Sequence, residues 1–573
     1  MSGWCFQETK ACMHVEDAEV RKRKCPTPLE PSGEAGIYRH PWRSFGAGAE
    51  EGGAEDVARA ARVAELVAII GAARPEAGQP LRALVELRTA LSSQTSPPIQ
   101  QVIELGGVRM LVDRLGDASP VLQLEAAWAL TNVASGDSSQ VAAVVEAGAV
   151  EAIFDLLVSP EVLERPELCD HCLSVLGNIA GDDDVRLRNR LLEAEVVGHL
   201  GRFFQQVPGL PWEFHGRTQV LRTLTWLMSA LCHGKPAPPL KEVDCAFDYF
   251  SQVIGGTDDS QMLAEALWGL CYLVEGAAND LEGCSRAVRL LSAGFGTEGV
   301  PQPPAPHPLL VPVVQCMRRA GDARNPLPIP AVRLVGDLLS LSTESVTDAV
   351  IAAGAMRGLR ELLLDQHAPA LVRRDAAWAL SNVAAGTVSQ AQHLLDATGA
   401  VDGLFQAWEA APAQSIRREC AWAVANAAKR GAPFLECLGS QRLLRLVALA
   451  VRGEQDPLLQ RALLDAGEAV LKHGEEQASL KGLAQNPLVA AAETCGLVES
   501  LQALNHVETE GIRYKAASIR ERWFSGPGGD RENEPPAQST PRKERPDQSV
   551  SAHTPSAICG GSPLRPAAYK FGA

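Results

Sequence analysis

Five tryptophans in this chain sit in segments that read alike. Trp128 lies in AAWALTNVASG, Trp226 in TLTWLMSALCHG, Trp268 in EALWGLCYLVEG, Trp378 in AAWALSNVAAG and Trp422 in CAWAVANAAKRG. A polar or aromatic residue often follows four places later (Asn132, Tyr272, Asn382, Asn426), and a small residue or glycine then ends the segment. LSVLGNIAGDD is a variant with Ser174 at the Trp position and Asn178 after it. Trp128 to Ser174 is 46 residues, Trp226 to Trp268 is 42, Arg333 (in AVRLVGDLLS) to Trp378 is 45, and Trp378 to Trp422 is 44. Two intervals are longer, 52 from Ser174 to Trp226 and 65 from Trp268 to Arg333. The second contains PQPPAPHP, which cannot be helix interior and reads as an inserted loop. A chain that reuses one segment at this period is built from one structural unit stacked many times.

Each unit has three parts. A short segment ends at glycine, as in VAAVVEAG and DAVIAAG; a second apolar segment follows, as in AVEAIFDLL and AMRGLRELLL; the Trp segment is the third. Apolar positions recur at three and four residues, the amphipathic-helix pattern. The glycines suit tight turns between helices, and strict alternation of β-branched residues is scarce. A period of roughly 40–47 residues marks armadillo or HEAT units, which bury their apolar faces only by stacking. The expected fold is all-α: a right-handed armadillo-repeat superhelical solenoid of about nine or ten three-helix repeats. We place it at 57–525. Residues 1–56, with GAGAEEGG, and 526–573, with PPAQSTPRKERPDQS, lack helical periodicity and are expected to be disordered.

No apolar run approaches the length of a bilayer-spanning helix, and MSGWCFQETK lacks the layout of a signal peptide. The fourteen cysteines follow no framework spacing, so reduced thiols are expected. Cys169-Asp-His-Cys172 could begin a zinc site, but no second ligand pair stands at a suitable distance and the segment falls in a repeat helix; no metal or cofactor is expected. G-x-x-x-x-G-K-S/T and G-x-S-x-G are absent, and the glycines at 46–53 make no dinucleotide fingerprint. Nothing points to an enzyme.

Residues i and i+4 share a helix face, so Trp128/Asn132, Trp378/Asn382 and Trp422/Asn426 each point one way, and stacking would set the pairs in a ladder. A side-chain amide can pair with the main chain of an extended peptide. Adjacent indoles would form slots for Lys or Arg stems, with a cation–π attraction of about 0.5–2 kcal/mol each, and nearby carboxylates would receive the charged heads. Core packing is the competing account of any one Trp. The repeated amide argues for a surface groove, because a buried, unpaired amide costs about 1–3 kcal/mol. The formal net charge of −16 and a pI near 5.3 favour a basic partner and argue against direct nucleic-acid binding.

At these residues the chain resembles importin alpha, the armadillo adaptor for nuclear-localisation-signal cargo. LTWLMSALCHGKPAPPLKEV (224–243) is similar to that family's fourth repeat, EALWGLCYLVEGAAND (265–280) to its fifth, and ALNHVETEGIRYKAASIRERWFS (503–525) to its closing segment. The resemblance spans about 80–525 and implies two cargo sites. In the major site the matching positions are Trp128/Asn132, Ser174/Asn178 and Trp226/Ala230, with Gly136 and the lysine-binding acid at Asp182; only the first pair is intact, and a usual hydroxyl is Val141. In the minor site they are Arg333, Trp378/Asn382, Trp422/Asn426 and Glu419, with Asp337 where the family has Asn, and Trp268 and Tyr272 on the linking repeat beside Glu275. The minor half is the better preserved.

Importin alpha begins with a long basic region that recruits importin beta and, unloaded, folds into the cargo groove. Here residues 1–56 hold seven Lys/Arg and one cluster, Arg21-Lys22-Arg23-Lys24, which would serve as an autoinhibitory or carrier-binding element or else stay solvated. The resemblance therefore implies a nuclear import adaptor of cytoplasm and nucleus. Its partners would be proteins with basic localisation signals, importin beta and a recycling export receptor. The alternative is a divergent armadillo scaffold for cytoskeletal or ciliary assembly, without import activity.

Overall fold

The computed structural model describes residues 54–72, 78–93, 96–211, 213–278, 308–318, 325–341, 344–396 and 399–525. The Arg21–Lys24 cluster, the tail from 526 and most of the proline-rich insertion lie outside them. The described residues are helical and contain no β-strand, in keeping with the expected all-α armadillo solenoid. The first described helix, Ala54–Gly71, begins just before the expected boundary at 57. The helices fall into two units, one ending at Cys420 and one beginning at Ala421.

The first unit shows how the sequence builds a repeat. Asp137 caps helix Ser138–Glu146 with a capping box, its carboxylate accepting from the Ser139 and Gln140 amides while Gln140 returns a bond to the Asp137 amide. That helix ends at Gly148, whose φ of +80° reverses the chain into helix Ala149–Leu157. Gly354, at φ +84°, does the same between Glu344–Ala352 and Ala355–Leu364. Prolines open several third helices, Pro120–Val133, Pro166–Ala180 and Pro328–Ser340, where a missing N–H costs nothing.

The third helices form a continuous layer in this unit. Gln79–Leu91, Pro120–Val133, Pro166–Ala180, Phe214–Cys232, Ser260–Ala278, Pro328–Ser340 and Ala370–Ala385 each pack on the next. Second helices form a parallel layer, with Val196–Gln206, Ala246–Gly256, Leu310–Arg318, Ala355–Leu364 and Ala400–Ala410 in successive contact. Leu130, Val133, Leu176, Ile179, Leu227 and Leu231 are fully buried between layers. At about 1.5–3 kcal/mol for each buried aliphatic side chain, this shared core holds units that could not fold singly.

Glycine sets the approach of neighbouring third helices at two interfaces. Gly177 lies under the six-membered ring of Trp226, and Gly336 under that of Trp378; a methyl group on either would overlap the indole.

The second unit holds helices Ala432–Leu438, Ser440–Gly453, Pro457–Lys481, Pro487–Thr494 and Leu497–Ala503, closed by Glu510–Phe524. The closing helix is tied by charge. Lys515 Nζ pairs with Asp465 Oδ1 at 2.9 Å and with Glu468, Arg522 with Glu475 Oε2 at 2.8 Å, and the Trp523 indole N–H donates to Glu475 Oε1 at 2.6 Å.

Candidate functional site

Most of the sequence-derived site residues of the first unit lie on its third-helix layer. Gly136 and Asp182 follow the ends of two of those helices. Trp128, Trp268, Tyr272 and Gly136 are part-exposed; Trp226, Trp378, Asn132, Asn178, Asp182, Arg333, Asn382 and Glu419 are buried. Trp422 and Asn426, also buried, belong to the second unit.

The asparagines have internal work. Asn132 Nδ2 donates to Ser92 Oγ at 2.8 Å and, weakly, to the Arg88 carbonyl at 3.5 Å; Asn178 Nδ2 donates to the Thr131 carbonyl at 3.1 Å; Asn382 Nδ2 reaches the Gly336 carbonyl at 3.5 Å. Each amide thus ties its helix to the preceding repeat. This weakens the argument that recurrence of the amide demands an outside ligand, because these Nδ2 donors have internal partners; the Asn132 Oδ1 acceptor is buried without a donor among the described residues.

Trp128 is sandwiched. The Arg88 guanidinium carbon stands 3.9 Å from its ring centroid, and Arg88 Nε donates to Glu125 Oε2 at 2.8 Å. The His171 ring stacks on the indole at 5.1 Å and 17°. Burial, then the nearby Arg88 charge, lower the His171 pKa to about 4, so the imidazole is neutral at pH 7. Beside it, burial raises the Cys169 thiol to about 12 and holds Cys172 well above its ordinary value, leaving both protonated.

Asp182 is positioned from the preceding repeat: its Oδ1 accepts from Ser138 Oγ at 2.5 Å and from the Asp184 amide at 2.8 Å. At the linking repeat, Trp268 and Tyr272 stack at 6.0 Å and 17°, and His233 meets Tyr272 edge-on at 4.6 Å.

The repeat-six site is a charge cluster. Arg333 Nε pairs with Asp337 at 3.3 Å, and the guanidinium lies 5.6 Å from the Trp378 ring centroid. Arg374 Nη2 pairs with Asp375 Oδ1 at 2.7 Å. Burial opposes the Arg333 charge, but Asp337, Asp375 and Glu275 hold it ionised and raise its pKa. Burial dominates at Asp337 and, with Glu275 and Asp375 nearby and despite Arg333, pushes the carboxyl up to about 7. Asp375 is raised by burial as well. Among the described residues, Trp378 Nε1 and Arg333 Nη1 are buried donors with no acceptor.

The sequence reading missed Arg88, Glu125, Ser138 and Asp375, and met His171 only within the rejected zinc motif. One signal was available. Glu125, Glu265, Asp375 and Glu419 each stand three residues before a tryptophan, on the same helix face. Only Glu419 was singled out. His171 occupies that register before Ser174.

Comparison with known proteins agrees with the repeat fold. The armadillo/beta-catenin-like repeat model matches residues 95–135 and 343–385. An importin subunit alpha-1b of Oryza sativa subsp. japonica is 31% identical over 299 residues, 52% of this chain and 49% of that protein. An importin subunit alpha-2 of Arabidopsis thaliana is 35% identical over 209 residues, 36% of each chain. An importin subunit alpha-2 of Caenorhabditis elegans is 28% identical over 308 residues, 54% of this chain and 51% of that one. The chain spans about half or less of the length of these relatives. The crystal structure of an engineered protein superposes with a TM-score of 0.62 at 22% identity, covering 81% of this chain and 99% of that one, a likeness of fold alone.

Proposed function

We propose that this divergent, importin-alpha-like armadillo protein is a non-enzymatic nuclear import adaptor that receives extended basic peptides along its third helices. The observation that carries this reading is the register of acids and indoles on one helical layer of the first unit. Glu125 precedes Trp128, Glu265 precedes Trp268 and Asp375 precedes Trp378, each by three residues, while Asp182 and Asp337 add buried carboxylates. Such a layer offers apolar walls for methylene stems and negative charge for their heads, and long-range attraction from a −16 chain would steer basic partners to it. Trp128, Asn132, Gly136, Asn178, Asp182 and Trp226 would make one receiving segment. Trp268, Tyr272, Arg333, Trp378, Asn382 and Glu419 would make another. Trp422 and Asn426 carry the same residue types in the second unit. Two segments engaged by one bipartite signal would gain affinity through effective concentration.

The test is fluorescence anisotropy of a labelled bipartite basic peptide titrated with the full chain at two salt concentrations. Submicromolar, salt-sensitive binding is expected. Asp182→Asn is expected to weaken it by about 10- to 30-fold, the value of one charge-assisted contact. Absence of binding by folded protein would sink the adaptor reading. It would favour an armadillo scaffold, which the covered faces of Trp128 also suit. Arg21–Lys24 would be the contact for importin beta; co-elution of the two proteins, lost on replacing the four basic residues with alanine, is the expected result. Recycling by an export receptor and shuttling between cytoplasm and nucleus follow from the same reading, and imaging of a fluorescent fusion checks the latter.

A further inference from the structure

The peptide-receptor reading gives Trp128 a slot for a basic side chain, and this chain has filled it from within. One flank of the indole is taken by Arg88, itself anchored to Glu125 at 2.8 Å, and the His171 ring lies stacked against the indole at 5.1 Å. Arg88 comes from the preceding third helix and His171 from the following one, so the indole is gripped from both neighbours. His171 is 7% exposed, and the Trp128 indole N–H is buried without an acceptor among the described residues.

The register makes the substitution legible. Three residues before the repeat's tryptophan, four other units carry Glu125, Glu265, Asp375 and Glu419, and the fourth unit carries Thr223 before Trp226. The third repeat carries His171 there, and Ser174 in place of the indole. It has exchanged an acid and an aromatic wall for one imidazole and a small hydroxyl. An incoming ammonium or guanidinium would find an imidazole at 171 where other units carry an acid, the Glu125 carboxylate engaged by Arg88, and an indole that already carries the Arg88 cation.

We propose that His171 is a specificity-determining plug: resting on the peptide-receptor reading, it closes the Trp128 slot to lysine and arginine, so this step takes an uncharged residue and basic side chains are received elsewhere on the layer. Removing the imbalance should open the slot. His171→Ala uncovers the indole, and the gain expected for a lysine-rich probe is about 2- to 30-fold in affinity, the range of one new cation–π contact.

The experiment titrates fluorescein-labelled hexalysine with the full chain at low salt, using wild type, His171→Ala, His171→Gln, the His171→Ala/Trp128→Ala double variant and Asp182→Asn. Circular dichroism melts establish that each variant is folded, and His171→Gln serves where alanine destabilises the repeat. Tighter binding by the His171 variants, cancelled in the double variant, is the expected result. Equal affinity of wild type and both His171 variants, with Asp182→Asn still weakening the complex, overturns the plug and leaves the receptor reading standing. A gain that persists without Trp128 also overturns the plug. Absence of binding by every protein overturns both.

Discussion

Gly177→Val is expected to destabilise the first unit by about 3 kcal/mol. Even the first carbon of a side chain at 177 would fall inside the ring of Trp226, which is 3% exposed. An indole is rigid, and this one is buried, so it has little open space into which to rotate. The third helices must therefore move apart, and overpacking of this kind costs about 1–3 kcal/mol or more. A gain in helix propensity offsets part of the cost for alanine and little for β-branched valine. Pairing the change with Trp226→Leu is expected to recover much of the loss, because the two residues share one contact. The contrasting site is Gly201, inside helix Val196–Gln206, where nothing lies within 4 Å of an added methyl. Gly201→Ala should stabilise by about 0.5–1 kcal/mol. Chemical denaturation of the three variants checks both signs. A Gly177→Val midpoint equal to wild type would mean that the indole does not rest on that glycine.

The repeat was legible because its determinants are local. Capping residues, glycine turns and apolar spacing at three and four residues lie within each unit, and the period follows from comparing one unit with the next. The period also held more than was taken from it. In a stack, a residue meets its counterpart about one repeat away, and the contacts obey this: Asn132 with the Arg88 carbonyl, Ser138 with Asp182, and Gln390 with the Glu344 carbonyl. Subtracting one period from each Asn position would have pointed to an internal acceptor and weakened the groove argument at its start.

The site was less legible, because burial of a polar group is decided by a neighbour that the local segment does not contain. The Trp-x-x-x-Asn pattern looks identical whether the amide faces a peptide or the previous helix. His171 looked like part of a failed zinc motif, and only the stack shows its ring against Trp128. The acids three residues before four of the five repeat tryptophans were visible throughout and needed only the helix geometry already in use.

Asp337→Asn should remove a pH dependence that wild type carries. The Asp337 carboxyl is pushed up to about 7 by burial, with Glu275 and Asp375 adding repulsion and Arg333 opposing both. In the unfolded chain the same group titrates near 3.8. Between about pH 4 and 7 the folded protein therefore keeps a proton that the unfolded chain has released. Stability from this group is greatest below pH 4, falls as pH rises to 7, and is constant above. At about 1.4 kcal/mol per unit, the full swing is on the order of 4 kcal/mol. Asparagine carries no such proton, and it restores the residue type found in the same register at 132, 178, 382 and 426. Arg333 keeps Asp375 and Glu275 as charge partners in the variant. Denaturation at pH 4.5 and pH 8 is thus expected to show the variant gaining on wild type by several kcal/mol as pH rises. The same linkage reaches binding. A lysine or arginine head drawn to this cluster lowers the Asp337 pKa, so complex formation near pH 7 expels a proton, and wild-type affinity for a basic peptide rises from pH 6 to pH 8. The variant should lack this rise. Parallel pH profiles for the two proteins would show that Asp337 does not titrate in that window.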